Sequence, residues 1–274
     1  MTIRAFVIGH PIAHSRSPLI HGTWLAEHGI DGSYEAIDVS PEALPEFFGL
    51  LRSGEFAGGN VTIPHKEAVF ALCDTVDPLA EQIGAVNTLV ARDGRVHGTN
   101  TDYLGFLGNL DAGAPGWSNG LDRALVLGAG GAARAVIVAL QSRGIPIVLL
   151  NRTRATADRL AAEFEDITVG TLDALADAAP HAGLLVNTTS VGMHGTRFEG
   201  LDAAALRPDA LVTDIVYSPL VTPLLADARA RGLRTVDGLG MLLHQAVPGF
   251  EAWFGVRPDV TPALRARIES TLEG

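Results

Sequence analysis

Cysteine and long apolar runs are nearly absent from the sequence. Cys73 is the only cysteine among 274 residues, so no disulfide can form within the chain, and a single thiol in a chain of this length is typical of a reducing compartment. No stretch approaches the roughly 18 apolar residues that a membrane span needs. The apolar run at residues 3–8 is too short for the core of a signal peptide and ends in Gly9, as a buried strand would. We therefore expect a cytoplasmic protein without a membrane partner.

Basic residues are also scarce. The chain has 20 Lys and Arg against 31 Asp and Glu, a formal net charge of −11, and nothing supplies a broad face that would neutralise nucleic-acid phosphates. We therefore exclude nucleic acid as a partner, whereas a local cluster of donors could still bind a small anion. The nine histidines lack a metal-ligand spacing such as H-E-x-x-H, and we expect no metal site.

The composition is that of a globular protein with buried sheets, since 47% of the residues are apolar and 19% are charged. The length favours about two domains. Strand-like and helix-like patterns alternate over residues 1–105, which predicts an α/β layer. Glycine, proline and polar residues then crowd together between Asp111 and Arg123, which is typical of a linker or a long surface loop.

The expected elements of the first part include a hairpin with Asp93-Gly94 at its turn. Its expected strands are residues 3–9, 33–39, 59–63, 85–92 and 95–99, and its expected helices are residues 19–28, one beginning at Ser40, and 65–73. The second part opens with a βαβ unit, in which strands at 124–127 and 145–150 flank a helix that runs through Arg143.

The βα alternation continues to the end of the second part. Helices are expected at 155–164 and 222–231, with strands at 184–187, 211–215 and 234–236. The mainly helical tail at 239–272 is expected to pack on the first domain. We therefore predict one domain formed by residues 1–105 plus 238–274 and another formed by residues 106–237.

A glycine-rich motif lies between the first strand and the helix of the βαβ unit. It reads Gly128-Ala129-Gly130-Gly131-Ala132-Ala133, which has the form and the context of a dinucleotide-binding fingerprint. Gly128 permits a tight turn, Gly130 lets the backbone approach a pyrophosphate, and Ala133 keeps the helix close to the sheet. The free N–H groups and the dipole at the helix start favour phosphates. The alternative is a glycine-rich turn that binds no ligand.

The end of the next strand distinguishes between the two nicotinamide cofactors. NAD sites place Asp or Glu roughly 20 residues after the glycine motif, where the carboxylate accepts from the ribose 2′-hydroxyl. This sequence has Asn151-Arg152-Thr153-Arg154 there. A guanidinium attracts a 2′-phosphate that a carboxylate would repel, so NADP is favoured. The alternative is a pair of surface arginines at a helix start.

Short polar motifs stand beside the ends of the strands expected in residues 1–105. Ser15-Arg16-Ser17-Pro18 lies between a strand and a helix, where its two hydroxyls could cap the helix or bind a carboxylate. The others are Asn60-Val61-Thr62-Ile63-Pro64-His65-Lys66, Gly84-Ala85-Val86-Asn87-Thr88 and Asn100-Thr101-Asp102. Each of these motifs is unspecific by itself.

Taken in order, the motifs closely resemble those of the shikimate dehydrogenase family. The order continues through the glycine motif, Asn151-Arg152-Thr153, Asn187-Thr188-Thr189-Ser190 and Asp237-Gly238-Leu239-Gly240-Met241, and it covers residues 6 to 250. The resemblance implies an N-terminal α/β substrate domain, a C-terminal Rossmann NADP-binding domain and an active site in the cleft between them. It also implies an enzyme that reversibly reduces 3-dehydroshikimate to shikimate with NADPH, a step of the shikimate pathway toward chorismate and the aromatic amino acids.

The resemblance also assigns roles to residues of the first domain. Lys66 and Asp102 would be the catalytic pair, in which Lys66 exchanges a proton with the C3 oxygen of the substrate and Asp102 orients the ammonium group. Both would also contact the substrate. The remaining substrate contacts are Ser15, Ser17 and Tyr217 near the carboxylate and Thr62, Asn87 and Gln245 at the ring hydroxyls. His10, His14 and His21 are expected to line a loop near the substrate.

The cofactor would be held by residues of the second domain. They are Gly128, Ala129, Gly130, Gly131, Ala132, Asn151, Arg152, Thr153, Arg154, Thr156, Val216 and Gly238, the last by the nicotinamide. Thr156 stands where some members of the family carry a second phosphate-binding arginine, so that Arg152 would act alone or with Arg154. His65 replaces a commonly apolar residue beside Lys66.

Two alternatives stay open. A quinate/shikimate or aminoshikimate dehydrogenase paralogue would share the scaffold, although Arg152 argues against an enzyme that prefers NAD. A catalytically silent protein that senses a dinucleotide is expected to have lost Lys66 or Asp102, and both are present. A homodimer is an open possibility for the assembly.

Overall fold

The computed structural model describes residues 2–272, which form two compact units. The first unit runs to Gly105 and includes Leu242–Ile268, and the second comprises Phe106–Met241 and the chain from Glu269. Each unit contains one six-stranded sheet. Among the described residues, no helix combines the length and the apolar character that crossing a membrane requires.

The sheet of the first unit is mixed. Its strands are β1 (Ile3–Gly9), β2 (Gly32–Asp38), β3 (Gly58–Val61), β4 (Thr75–Val76), β5 (Thr88–Arg92) and β6 (Arg95–Thr99), and its first three helices are α1 (Ser17–His28), α2 (Leu44–Arg52) and α3 (Pro78–Ile83). The strand order is β2-β1-β3-β5-β6-β4. β1 is parallel to β2 and β3, whereas β5 is antiparallel to β3 and β6. The polar residues that follow β3 and those that precede β5 therefore meet at one edge of the sheet.

The predicted hairpin is confirmed. Asp93 and Gly94 connect β5 to β6 with positive φ angles of 52° and 72°, which is the conformation that a two-residue hairpin turn requires. The predicted helix at 65–73 is wrong, since this segment contains only a 3₁₀ turn at Val69–Leu72. The Lys66 carbonyl accepts from Val86 N at 2.8 Å, so tertiary pairing has replaced a helical hydrogen bond.

The sheet of the second unit is parallel throughout. Its strands are β7 (Ala124–Leu127), β8 (Ile147–Asn151), β9 (Ile167–Thr171), β10 (Leu184–Asn187), β12 (Leu211–Asp214) and β13 (Arg234–Val236), and a further short strand, β11 (Val191–His194), lies outside it. The order β13-β12-β10-β7-β8-β9 is that of the Rossmann fold, in which the strand order reverses beside the first strand. β9 was missed because this edge strand is only partly buried.

Helices complete both units. They are α4 (Asp102–Gly113), α5 (Gly131–Gln141), α6 (Arg154–Ala161), α7 (Leu175–Ala178), α8 (Pro223–Ala230), α9 (Leu239–Phe254) and α10 (Pro262–Glu269). Residues 242–268 of the tail belong to the first unit, where Trp253 Nε1 donates to Leu89 O at 2.8 Å, whereas residues 239–241 and the chain from Glu269 belong to the second unit. The linker predicted between Asp111 and Arg123 is partly wrong, because α4 reaches Gly113 and Trp117 is buried, with its indole N–H bonded to Asp111 at 2.8 Å.

His21 lies in the core of the first unit and not in a loop. Its ring stacks on Tyr34 with centroids 3.9 Å apart and contacts Trp24 edge-on. It is fully buried, and neither ring nitrogen has a hydrogen-bond partner among the described residues. Burial lowers the pKa of His21 from 6.5 to about 3, and the nearby Asn60 side chain offsets only part of this fall.

His21 should therefore make the stability of the protein depend on pH. The unfolded chain binds a proton at His21 below pH 6.5 that the folded protein excludes until about pH 3, so the free energy of unfolding falls as the pH falls through this window. The loss should reach about 2 kcal/mol near pH 5. In His21→Leu, the free energy of unfolding measured with denaturant should fall by about 2 kcal/mol less than in wild type between neutral pH and pH 5. An equal fall in the two proteins would show that the imidazole is already charged in the folded protein.

Candidate active site

Lys66 and Asp102 form an ion pair in the first unit. Lys66 lies in the irregular loop after β3, and Asp102 is the first residue of α4. Lys66 Nζ donates to Asp102 Oδ2, and the two side chains are 17% and 7% exposed. The pair is therefore largely removed from water, unlike the surface salt bridges of the chain. The structure thus brings together the two residues predicted to be catalytic.

The Asp102 carboxylate is held in place on its other side. Asn87 Nδ2 donates to Asp102 Oδ1 at 2.9 Å, and Asn100 Oδ1 accepts from the Asp102 backbone N–H at 3.0 Å. Gln245 Oε1 lies 3.4 Å from Asn87 Nδ2. Asn87, Asn100 and Asp102 are each at most 5% exposed. Of the predicted substrate contacts, Asn87 and Gln245 therefore lie in the immediate surroundings of the pair.

A chain of buried polar side chains extends from Asn87. The sequence motifs had not assigned a role to its members. Thr88 Oγ1 donates to Asn87 Oδ1 at 2.9 Å, Asn60 Nδ2 donates to Thr88 Oγ1 at 3.1 Å, and the Tyr34 hydroxyl donates to Asn60 Oδ1 at 2.6 Å. Burial raises the pKa of Tyr34 well above 10, although Asn60 and Ser17 counteract it. Asn60 and Thr88 belong to the polar motifs at the strand ends, and this membership is the signal in the sequence that could have pointed to them.

Ser15 and Ser17 stand at the start of α1. Ser15 Oγ accepts from the Ser17 backbone N–H at 3.3 Å, while the N-cap residue of α1 is Arg16, which makes no side-chain capping hydrogen bond. Ser17 is the first residue of the helix and is 5% exposed. Thr62 directly follows β3, and its backbone N–H donates to Ile8 O at 2.9 Å. Binding of substrate by these hydroxyls stays a prediction.

His65 anchors the loop that carries Lys66. Its ring is 1% exposed, and its Nε2 lies 2.7 Å from Val39 O. A carbonyl can only accept, so Nε2 carries the proton of this hydrogen bond. The imidazole thus ties the loop that carries Lys66 to the backbone just after β2.

The glycine motif forms a tight turn between β7 and α5. Gly128 has a φ of 104°, and a Cβ there would lie 2.8 Å from Thr188 Oγ1, so only glycine fits. Gly130 caps α5 and has open space where a side chain would stand. Ala133 is fully buried, as its predicted role requires. The space in front of the start of α5 is thus open, which suits an anion such as a pyrophosphate.

The arginines after β8 differ in their pairing. Arg152 is exposed, and within residues 2–272 its guanidinium has no ion pair or hydrogen bond. Arg154 Nε pairs with Asp158 at 2.8 Å, and Arg159 donates to Thr156 Oγ1 at 3.3 Å. Of the predicted phosphate-binding residues, Arg152 is therefore the cation that is free to bind a ligand.

Val216 and Gly238 meet at the carboxyl edge of the second sheet. A Cβ on Gly238 would lie 2.7 Å from Val216 O, so the backbone of the two segments comes as close as glycine permits. Asn151 Nδ2 donates to Thr153 O at 2.9 Å and shapes the turn after β8. Tyr217 follows Val216 in this unit, and its contact with substrate stays a prediction. No three His, Cys, Asp or Glu side chains in the described part of the chain are grouped to hold a metal ion.

Three family profiles match the chain. They are the shikimate dehydrogenase substrate binding domain at residues 7–89, shikimate / quinate 5-dehydrogenase at residues 118–240 and the shikimate 5'-dehydrogenase C-terminal domain at residues 238–266. The chain belongs to the shikimate dehydrogenase family. The predicted family and its α/β fold, with an N-terminal substrate-binding domain and a C-terminal NADP-binding domain, are thus confirmed.

Individual proteins of the family are similar over the whole chain. Shikimate dehydrogenase (NADP(+)) from Mesorhizobium japonicum is 60% identical over 99% of this chain and 97% of its own length, and that from Methylobacterium radiotolerans is 60% identical over 100% and 99%. The crystal structure of shikimate 5-dehydrogenase from Thermus thermophilus with NADP(H) and shikimate has a TM-score of 0.89 at 41% identity, covering 99% and 100% of the two chains. Quinate dehydrogenase from Corynebacterium glutamicum with NAD reaches 0.90 at 33% identity, covering 98% and 99%.

Proposed function

We propose that this chain is an NADP-dependent shikimate dehydrogenase that catalyses the reversible reduction of 3-dehydroshikimate to shikimate. The observation that carries this proposal is the shielded Lys66–Asp102 pair, which Asn87 orients from the opposite side. The names of the relatives that are 60% identical, and the NADP(H) and shikimate bound by the Thermus thermophilus protein, support it. The reaction is a step of chorismate and aromatic amino-acid biosynthesis.

The residues of the second unit fit an NADP molecule. The open space at Gly130 and the start of α5 suit its pyrophosphate, and the unpaired Arg152 suits its 2′-phosphate. Val216 and Gly238 would lie by the nicotinamide. When bound, the cofactor supplies or accepts the hydride at C3 of the substrate.

Lys66 provides the proton chemistry of the proposed mechanism. Its ammonium group donates a proton to the C3 oxygen as the carbonyl is reduced, and it takes the proton back in the reverse direction. Asp102 fixes the position of this group and accepts from it, and Asn87 keeps Asp102 Oδ1 occupied so that Oδ2 faces the lysine. Gln245 and Thr62 would hold the ring hydroxyls, with Ser15, Ser17 and Tyr217 at the carboxylate.

The test offers the purified protein shikimate or quinate, each with NADP or NAD, and follows the absorbance of the reduced cofactor. Turnover of shikimate with NADP should be the fastest of the four combinations. Faster turnover of quinate with NAD would establish the paralogue, whose fold is equally close. No activity on shikimate with either cofactor would refute the proposal and favour a silent binding protein.

We also propose a cytoplasmic location. The single Cys73 supports it, since no disulfide can form within the chain and a lone thiol in a chain of this length is typical of a reducing compartment. Whether the protein is a homodimer is tested by sedimentation of the purified chain.

A further inference from the structure

Asp214 is a buried carboxylate at the end of β12 to which no role has been given so far. It is fully buried, and burial raises its pKa above the ordinary value. Three neutral groups donate to it: Thr222 Oγ1 at 2.7 Å, the Val216 backbone N–H at 2.9 Å and Asn187 Nδ2 at 2.9 Å. No Lys or Arg in the part of the chain that the structure describes forms an ion pair with it. Burying a carboxylate without a neighbouring cation costs free energy. This cost indicates that Asp214 and its hydrogen bonds have a role in the protein.

The three donors belong to three different segments of the second unit. Asn187 ends β10, Val216 lies in the loop after β12, and Thr222 caps the start of α8. Gly192, beyond β10, is so close that a Cβ there would lie 3.4 Å from Asp214 Oδ2. A single side chain thus joins the loops at the carboxyl edge of the sheet.

Asp214 and the backbone of the following turn together determine which way the Asn187 amide points. A carboxylate only accepts, so it requires the Nδ2 end of Asn187 to face it. The Oδ1 end is then directed at the following turn, where it accepts from the backbone N–H and the hydroxyl of Thr189 at 2.9 and 2.8 Å. Asn187 Nδ2 donates in addition to Val191 O at 2.7 Å. The turn at residues 187–191 is therefore built around an amide that Asp214 orients.

This turn lies against the glycine motif. Thr188 Oγ1 donates to Leu127 O at 2.8 Å and to Gly128 O at 3.3 Å. β7 and β10 are the neighbouring strands between which the strand order reverses, and in open α/β sheets the ligand binds in the crevice at this point. The turn after β10 is thus one wall of the crevice, with the glycine motif opposite.

We infer that Asp214 is a positioning residue for the dinucleotide site. Through Asn187 it sets the turn that faces the glycine motif, and through the Val216 N–H it sets the segment predicted to lie by the nicotinamide. It does not itself contact the cofactor. This inference rests on the proposed function only in taking NADP as the ligand.

The test compares cofactor binding with substrate binding and stability. Asp214→Leu keeps a similar shape but removes both acceptor oxygens, so Thr222 Oγ1, the Val216 N–H and Asn187 Nδ2 all lose this partner. NADPH binding, measured by fluorescence titration without substrate, should weaken about tenfold. The KM for NADP should rise by a similar factor, with the KM for shikimate within about twofold of wild type.

Two substitutions of Thr222 test the same hydrogen bonds with a smaller change than a substitution of Asp214. Thr222→Val removes the donor to Asp214 Oδ2, whereas Thr222→Ser keeps it, so binding of NADPH should weaken in the valine variant and recover in the serine variant. Thr213→Val is the matched control, because Thr213 precedes Asp214 on β12, is 2% exposed and points to the other face of the sheet. Its NADPH affinity should equal that of wild type.

The contrary result is a loss of thermal stability in Asp214→Leu and Thr222→Val while NADPH affinity stays within twofold of wild type. Asp214 would then be structural only. If Asp214→Leu does not fold, equal NADPH affinity in the valine and serine variants of Thr222 overturns the inference. NADPH titration needs no turnover, so a wild-type protein that binds NADPH but does not oxidise shikimate would refute the proposed function and leave this inference standing.

Discussion

Replacing Lys66 by methionine should lower the turnover number for shikimate oxidation by about 10²- to 10⁴-fold, the usual contribution of a general acid–base group. Methionine keeps the unbranched chain but removes the ammonium group that donates to Asp102 Oδ2. No other group in the described surroundings of Asp102 can exchange a proton at neutral pH, because Asn87 and Gln245 are amides. Steady-state kinetics with saturating shikimate and NADP measure this effect.

The controls separate proton transfer from binding and folding. Asp102→Asn leaves the ammonium group in place but removes the charge that orients it, so turnover should fall less steeply than in Lys66→Met. Circular dichroism and the Tm show whether each variant is folded, since loss of one partner leaves the other partly buried and unpaired. A near-normal turnover number with a raised KM for shikimate in Lys66→Met would replace the catalytic role by a binding role.

The sequence allows a second, chemical test of the same residue. Lys66 is the only lysine in the chain, so an amine-acetylating reagent can modify only this side chain and the amino terminus. Acetylation removes the charge, and activity should fall in proportion to the modified Lys66 peptide seen by mass spectrometry. Bound shikimate should reduce both the acetylation of Lys66 and the loss of activity. The affinity of the acetylated protein for NADPH should equal that of the unmodified protein.

The residues of the site could be predicted largely because they lie in short motifs at strand ends. Asn87, Lys66 and Asp102 are far apart in the chain, yet the pairing of β3 with β5 and of β5 with β6 brings their segments to one edge. The hydrogen-bonded partners of these residues could not be predicted in the same way. The bond from Tyr34 to Asn60 depends on the register of β2, β1 and β3, which a local pattern does not contain.

The errors in the fold have a common physical origin. The helical pattern at 65–73 was overridden by tertiary hydrogen bonds, to which the His65 ring and the Lys66 carbonyl contribute. Near Asp111 the glycines and prolines indicated a loop, but burial of Phe106 and Leu110 extends α4 to Gly113. Asp214 went unnoticed for a related reason, since a single acidic residue after an apolar strand is unremarkable until its three donors are in place.

Replacing Arg152 by alanine should raise the KM for NADP by about 10- to 100-fold, because a guanidinium–phosphate interaction consists of charge-assisted hydrogen bonds. The KM for NAD, which has no 2′-phosphate, should change little. The ratio of the KM for NAD to the KM for NADP should therefore fall by the same factor. Kinetics with each cofactor at saturating shikimate measure the ratio. The effect should be specific to Arg152, since its guanidinium is unpaired in the described structure while Arg154 is bound to Asp158.

Arg154→Ala and Arg159→Ala are the matched controls, each removing one positive charge from the same segment. If only the net charge of this segment mattered, all three variants would weaken NADP binding alike and added salt would reduce the difference. If Arg152 binds the 2′-phosphate directly, Arg154→Ala should stay within about twofold of wild type. Arg159 is the more informative control, because it lies one turn beyond Thr156 on α6 and donates to the hydroxyl of Thr156. A loss in Arg159→Ala comparable to that in Arg152→Ala would mean that Arg159 supplies the second cation from the next turn of α6, and a loss in Arg154→Ala alone would contradict the assignment of Arg152.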